Sequence, residues 1–236
     1  MGTRFDGQVA LVAGGTGALG SAIAQALLAE GAHVTVTYRR SEEFAALKQA
    51  AGAARLSGAQ VDVTDLAAAE QLIASLLRER GRLDILVNAV GGFTGGAPLW
   101  QADPAGLERM LSLNLRSGHA LARAAAPVLL RSGHGAIVNI AARAALEHGA
   151  GSAVYNASKA AALALFDSLA ADLAGSGVRV NSVLPSIIDT PANRSAMPNA
   201  DFARWPKADD IARVVLFLCS DDARVIHGAA IPVYGA

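Results

Sequence analysis

A chain of 236 residues, 53% hydrophobic and 17% charged, is long enough to bury a sizeable core and too apolar for disorder. Its 20 Lys and Arg balance 20 Asp and Glu, which leaves no net field to draw nucleic acid or an anionic membrane surface. The single cysteine, Cys219, excludes an internal disulfide framework, and the preceding run Val214-Val215-Leu216-Phe217-Leu218 marks it as a small buried hydrophobe. No cationic stretch followed by an unbroken apolar core opens the chain, and Asp6 stands where a myristoylated Gly2 would need Ser or Thr. Apolar runs are broken well before membrane-spanning length, so the expectation is a cytoplasmic protein with a small-molecule partner and neither nucleic acid nor membrane.

In chain order, residues 9–12 read as a strand, 21–30 as a helix, 33–37 and 59–61 as strands, and 66–80 as a helix. A strand at 85–87, a long helix at 107–130, a strand at 136–140 and a helix at 153–174 follow. Strand 178–183, helix 208–218 and a short strand at 230–233 close the set. Near-continuous apolar strands separated by helices imply a parallel sheet covered on both faces. The expected fold is α/β, a single-domain doubly wound Rossmann fold of roughly seven parallel strands spanning residues 1–236. Residues 185–206, with four prolines and little periodicity, read as a substrate loop or lid.

The run Gly14-Gly15-Thr16-Gly17-Ala18-Leu19-Gly20 follows the first strand and opens the first helix, and Gly15, Gly17 and Gly20 fit G-x-G-x-x-G. Glycines there let backbone approach a pyrophosphate, and the helix N-terminus offers unpaired N–H groups to its charge. The second strand runs into Tyr38-Arg39-Arg40, where an arginine suits the 2′-phosphate of NADP and an acidic residue would suit the ribose of NAD. NADP is therefore favoured, with NAD as the alternative. A solvated basic turn is the competing reading, since Glu42 and Glu43 follow.

Tyr155 and Lys159, four residues apart, share one helical face. An ammonium about 4 Å from a phenol, at an effective dielectric near 20, supplies about 4 kcal/mol, or about three pKa units, enough to bring the phenol into range for acid–base work. The histidines at 33, 119, 134, 148 and 227 show no metal-ligand spacing, so no metal is expected. His148 precedes Tyr155 and reads equally as a substrate contact or a solvent-facing residue.

With the glycine turn, Asn88, Asn114, Tyr155 and Lys159 in this order, the chain resembles the short-chain dehydrogenase/reductase family over essentially its full length. The resemblance implies an NAD(P)-dependent oxidoreductase with Tyr155 as acid/base, Lys159 as ribose contact and electrostatic partner, and Asn114 in the proton relay. It further implies coenzyme contacts from Asp62-Val63 to adenine, from Asn88, Ala89 and Val90 of Asn88-Ala89-Val90-Gly91, which stands in for N-N-A-G, and from Pro185, Ile188 and Thr190 to the carboxamide. A homodimer or homotetramer is implied in the same way.

The chain departs from the family at Ala142, thirteen residues before Tyr155, where the usual catalytic serine is absent. Losing an oxyanion donor typically costs on the order of 10²- to 10³-fold in rate. The quinonoid dihydropteridine reductase branch also lacks that serine. The chain resembles it in Ala142-Arg143-Ala144-Ala145-Leu146 and in the loop Asp189-Thr190-Pro191-Ala192-Asn193-Arg194 through Met197-Pro198 and Phe202 to Trp205. An activated conjugated acceptor is the expected substrate class. The alternatives are a carbonyl reductase or alcohol dehydrogenase with Ser152 or an ordered water in the serine's place, and a non-catalytic NADP-binding sensor or scaffold.

Overall fold

The computed structural model describes residues 3–52 and 54–235, so the reading made at Gly2 lies outside the described residues. Seven strands, β1 (Val9–Ala13), β2 (His33–Tyr38), β3 (Leu56–Gln60), β4 (Ile85–Asn88), β5 (Gly135–Ile140), β6 (Val178–Pro185) and β7 (Ala230–Val233), form one sheet in the order β3-β2-β1-β4-β5-β6-β7. Every pairing in it is parallel. The central strands β1 and β4 are buried along their whole length, which is why their sequences run apolar rather than alternate.

Helices α1 (Ala18–Ala29), α2 (Ser41–Ala51) and α8 (Ala208–Cys219) contribute to the core on one face, through Leu19, Ile23, Leu27, Leu47, Ile211 and Val215. Helices α3 (Leu66–Arg80), α5 (Ser117–Ser132) and α6 (Ala153–Asp172) do so on the other, through Leu72, Leu76, Leu121, Leu129 and Phe166. This is the doubly wound Rossmann arrangement expected from the alternating pattern. Chain order reverses on either side of β1, and the crevice at the carboxyl ends of β1 and β4 is where such sheets hold ligands. No helix among the described residues is long and apolar enough to cross a membrane.

Four parts of the chain differ from the sequence reading. The strand expected at 59–61 lies instead at 56–60, because Val34 to Tyr38 pair with Leu56 to Gln60, a stretch that carries Ser57 and Gly58 and so hides its strand character. The helix expected at 107–130 is α4 (Pro104–Leu111) and α5, with a π-helical turn at Ser112–Arg116 between them. It begins earlier because Asp103 caps it by accepting from the Ala105 N–H. The segment 185–206 is more ordered than its prolines suggest. Thr190 caps α7 (Pro191–Ala196) by accepting from the Asn193 N–H, and the Asp189 N–H donates to the Pro206 carbonyl at 2.9 Å, closing the loop at its base. Helix α2 was missed because Ser41-Glu42-Glu43 reads as a polar turn.

Candidate active site

The glycine turn is shaped by two close approaches. Gly14 sits at φ 73°, in the left-handed region, and a Cβ there would lie 3.0 Å from the Ala89 carbonyl oxygen at the end of β4. A Cβ on Gly20 would lie 2.2 Å from the Gly14 carbonyl oxygen, so only glycine lets α1 start this tightly. The Thr37 hydroxyl accepts from the Gly14 N–H at 2.9 Å, tying the turn to β2. Gly15, Thr16 and Gly17 form the turn itself, and Ala18 and Leu19 open α1. Backbone brought this close to a helix N-terminus is a cradle fitted to a dinucleotide pyrophosphate.

At the far end of β2, the Arg39 guanidinium lies 3.7 Å from Asp62, and Arg40 pairs with Glu43. Tyr38 stacks on Phe44 with centroids 4.8 Å apart. The Asp62 carboxyl is held below its ordinary range chiefly by the backbone and hydroxyl of Thr64, with Arg39 adding to the effect. Val63 is buried behind it.

Asn88 ends β4 and donates its amide to the Asn139 side-chain oxygen at 3.1 Å, while its own buried Oδ1 has no partner among the described residues. Ala89 and Val90 continue along the cleft. Asn114 lies in the π-helical turn, a distortion common at functional sites. Its Oδ1 accepts from the Gly92 N–H at 2.9 Å, and its Nδ2 donates to the Gly92 carbonyl at 3.1 Å and to the Ser158 hydroxyl at 2.9 Å. Ser158 in turn donates to the Tyr155 carbonyl at 2.8 Å. Asn114 therefore braces the loop after β4 against α6, which makes it a positioning residue.

Tyr155 and Lys159 project from the first two turns of α6 into a cleft of about 1050 Å³ that Ala142, Arg143, Ser152, Pro185, Ile188, Asn193 and Trp205 also line. The buried Lys159 ammonium donates to the Ile140 carbonyl at 3.0 Å, and burial lowers its pKa to about 8. Burial also raises the Tyr155 phenol. The sequence reading expected the ammonium to lower the phenol. In the chain by itself burial dominates, because Nζ is aimed at the end of β5. The phenol therefore keeps its proton at neutral pH.

Thr190 and Ile188 act first as structural groups here. The Thr190 hydroxyl accepts from Asn193, and the Ile188 carbonyl accepts from the Asn193 amide at 2.8 Å. His148 lines a neighbouring groove with Trp100 rather than the Tyr155 cleft. Burial pushes the Cys219 thiol up to about 12, which makes it inert. Among the described residues no group of three or more His, Cys, Asp or Glu is placed to hold a metal.

Sequence reasoning missed Phe93, whose ring meets Tyr155 edge-on at a centroid distance of 5.0 Å. An aromatic flanked by Gly91-Gly92 and Thr94-Gly95-Gly96 was a signal, since such a ring has little local packing. It also missed Ser158 and the Ile140 carbonyl, which carry no sequence signature.

A family model described as "Enoyl-(Acyl carrier protein) reductase" matches residues 14–235. The chain is 34% identical to 4-formylbenzenesulfonate dehydrogenase of Comamonas testosteroni, over 98% of each chain. It is a short-chain dehydrogenase/reductase.

Among solved structures, a short-chain type dehydrogenase/reductase from Mycobacterium ulcerans superposes with TM-score 0.93 at 27% identity, covering 98% of this chain and 90% of the other. An NAD⁺-bound xylitol dehydrogenase superposes with TM-score 0.90 at 26% identity, covering 99% and 100%. Ala142 stands at the position where the resemblance implies a serine. The residue is extended, 8% exposed, and offers a methyl group to the cleft beside Tyr155.

Proposed function

We propose that this short-chain dehydrogenase/reductase uses a nicotinamide coenzyme, NADP(H) ahead of NAD(H), to reduce a small planar conjugated acceptor, with a quinonoid dihydropterin as the leading example. The observation that carries the reading is a half-buried Tyr155 met edge-on by the Phe93 ring in a cleft where position 142 offers no hydroxyl. An acceptor that is already electron-poor needs a proton donor more than an oxyanion hole. The glycine cradle and the unpartnered Asn88 Oδ1 suit a dinucleotide, whose nicotinamide supplies the hydride when bound. Tyr155 donates the proton, Lys159 holds positive charge beneath it, and Phe93 and Trp205 present flat apolar surface to the acceptor.

The NADP preference is supported by Arg39, whose side chain is 62% exposed and paired with Asp62 at 3.7 Å. Such exposed pairs are worth about 0–1 kcal/mol, so a doubly charged phosphate displaces them. Arg39→Asp is expected to weaken NADPH binding at least about tenfold relative to NADH. Equal losses for the two coenzymes in a fluorescence titration would remove this support.

A second reading, a carbonyl reductase, draws on Ser152. That residue precedes α6, caps no backbone N–H with its hydroxyl, and lines the same cleft. Side chains on a helix lean toward its N-terminus, so the Tyr155 ring reaches back over the turn that Ser152 begins. Comparing quinonoid dihydropterin with a panel of ketones as oxidants of NADPH tests both readings. The conjugated-acceptor reading predicts fast pterin turnover that Ser152→Ala changes by less than about threefold. The carbonyl reading predicts ketone turnover that Ser152→Ala lowers by about 10²- to 10³-fold and Ala142→Ser restores.

A further inference from the structure

We propose that Glu43 is a specificity-determining residue at the adenosine end of the coenzyme site, occupying with its own carboxylate the place of a 2′-phosphate. The inference rests on the assignment of Arg39 and Arg40 to that phosphate. Two donors from separate parts of the chain converge on Glu43. The Thr16 hydroxyl, from the glycine turn after β1, donates to Oε2 at 3.1 Å, and the Arg40 guanidinium, at the N-cap of α2, pairs with Oε1. A hydroxyl and a guanidinium meeting at one point make an anion site, and the anion present belongs to the chain. Glu43 also lies in the first turn of α2, where the helix dipole favours negative charge, and Arg40 together with Thr16 holds its carboxyl below the ordinary range.

The position of the latch gives it a consequence for selectivity. Thr16 belongs to the turn that cradles the pyrophosphate, so Glu43 spans the gap between that turn and the basic end of β2. A 2′-phosphate entering the gap must displace a like charge from both of its own donors. A ribose 2′-hydroxyl can instead donate to the carboxylate as it stands. Glu43 therefore holds Arg40 and Thr16 away from a phosphate and narrows the discrimination between the two coenzymes.

The test is direct binding of NADPH, NADH and adenosine 2′,5′-bisphosphate to the full chain and to Glu43→Gln at fixed ionic strength. Glutamine keeps an acceptor for Thr16 and removes the charge. Glu43→Gln is expected to tighten NADPH and the bisphosphate by about 5- to 20-fold and to leave NADH unchanged or weaker. Unchanged or weaker NADPH and bisphosphate binding in a variant with wild-type melting temperature overturns the role of Glu43. Glu43→Ala, which removes the latch entirely, provides a second variant should the glutamine perturb α2, and the same tightening is expected of it. Arg39→Asp separates this failure from failure of the underlying assignment. If Arg39→Asp discriminates between the coenzymes and Glu43→Gln does not, only the inference about Glu43 falls.

Discussion

Tyr155→Phe lowers turnover by about 10²- to 10⁴-fold while coenzyme affinity stays within about twofold. The phenol oxygen is the only part of the side chain this substitution removes. The ring that meets Phe93 edge-on at 5.0 Å remains, and so does the backbone carbonyl that accepts from Ser158. The loss is therefore confined to proton donation. The test is a pair of measurements on one preparation: NADPH binding by fluorescence and steady-state turnover with the best acceptor. Retention of full turnover would remove Tyr155 from the chemistry. Parallel loss of binding and turnover would show a structural effect instead.

Lys159→Met is expected to lower turnover by about 10²- to 10³-fold, because it removes the positive charge next to the proton donor. It has a separate signature in stability. The Lys159 pKa falls from 10.5 to about 8 in the folded chain because burial penalises the charged form. Below pH 8 both folded and unfolded states hold the proton, and the folded state carries the cost of a buried charge. Between about 8 and 10.5 the folded state has released its proton while the unfolded state still holds one, so stability rises with pH across that window. Cys219, raised from 9.0 to about 12, works in the opposite sense above pH 9 but is common to both proteins and cancels in their difference. The wild-type chain should thus gain stability over Lys159→Met as pH rises from about 8 to 10.5, measured by denaturant unfolding. A difference that stays flat over that range would contradict the buried-ammonium account.

Much of this architecture was legible because its local and global requirements coincide. The strands at the centre of the sheet are apolar on both faces, and the turn from β1 into α1 can only be built with Gly14 and Gly20 where they stand. Tyr155 and Lys159 could be paired from their spacing because α6 is regular through that region. What escaped sequence reasoning depends on contacts far apart in the chain. The π-helical turn that places Asn114 between Gly92 and Ser158 lies inside a stretch that reads as continuous helix. The direction of the Lys159 ammonium is set by a carbonyl nineteen residues away at the end of β5. Spacing showed that tyrosine and lysine share a face, whereas burial, which raises the phenol and lowers the ammonium, follows from the fold.

The basic end of β2 shows the same limit. Arg39 and Arg40 read as a phosphate site because their chemistry is explicit in the chain. The carboxylates that meet them, Asp62 and Glu43, come from the segment after β3 and from the first turn of α2. Their engagement follows from the parallel pairing of β2 with β3 and from the α2 cap, neither of which a local motif records.

Hydride transfer to a conjugated acceptor is tested most directly in a single turnover with NADPH deuterated at C4 of the nicotinamide. The wild-type chain is expected to oxidise NADPH faster with a quinonoid dihydropterin than with any ketone in the panel, with a primary isotope effect from the C4 deuterium, and Tyr155→Phe to slow that oxidation by about 10²-fold or more. Bound NADPH that the pterin leaves unoxidised, or that a simple ketone oxidises faster, would contradict this assignment.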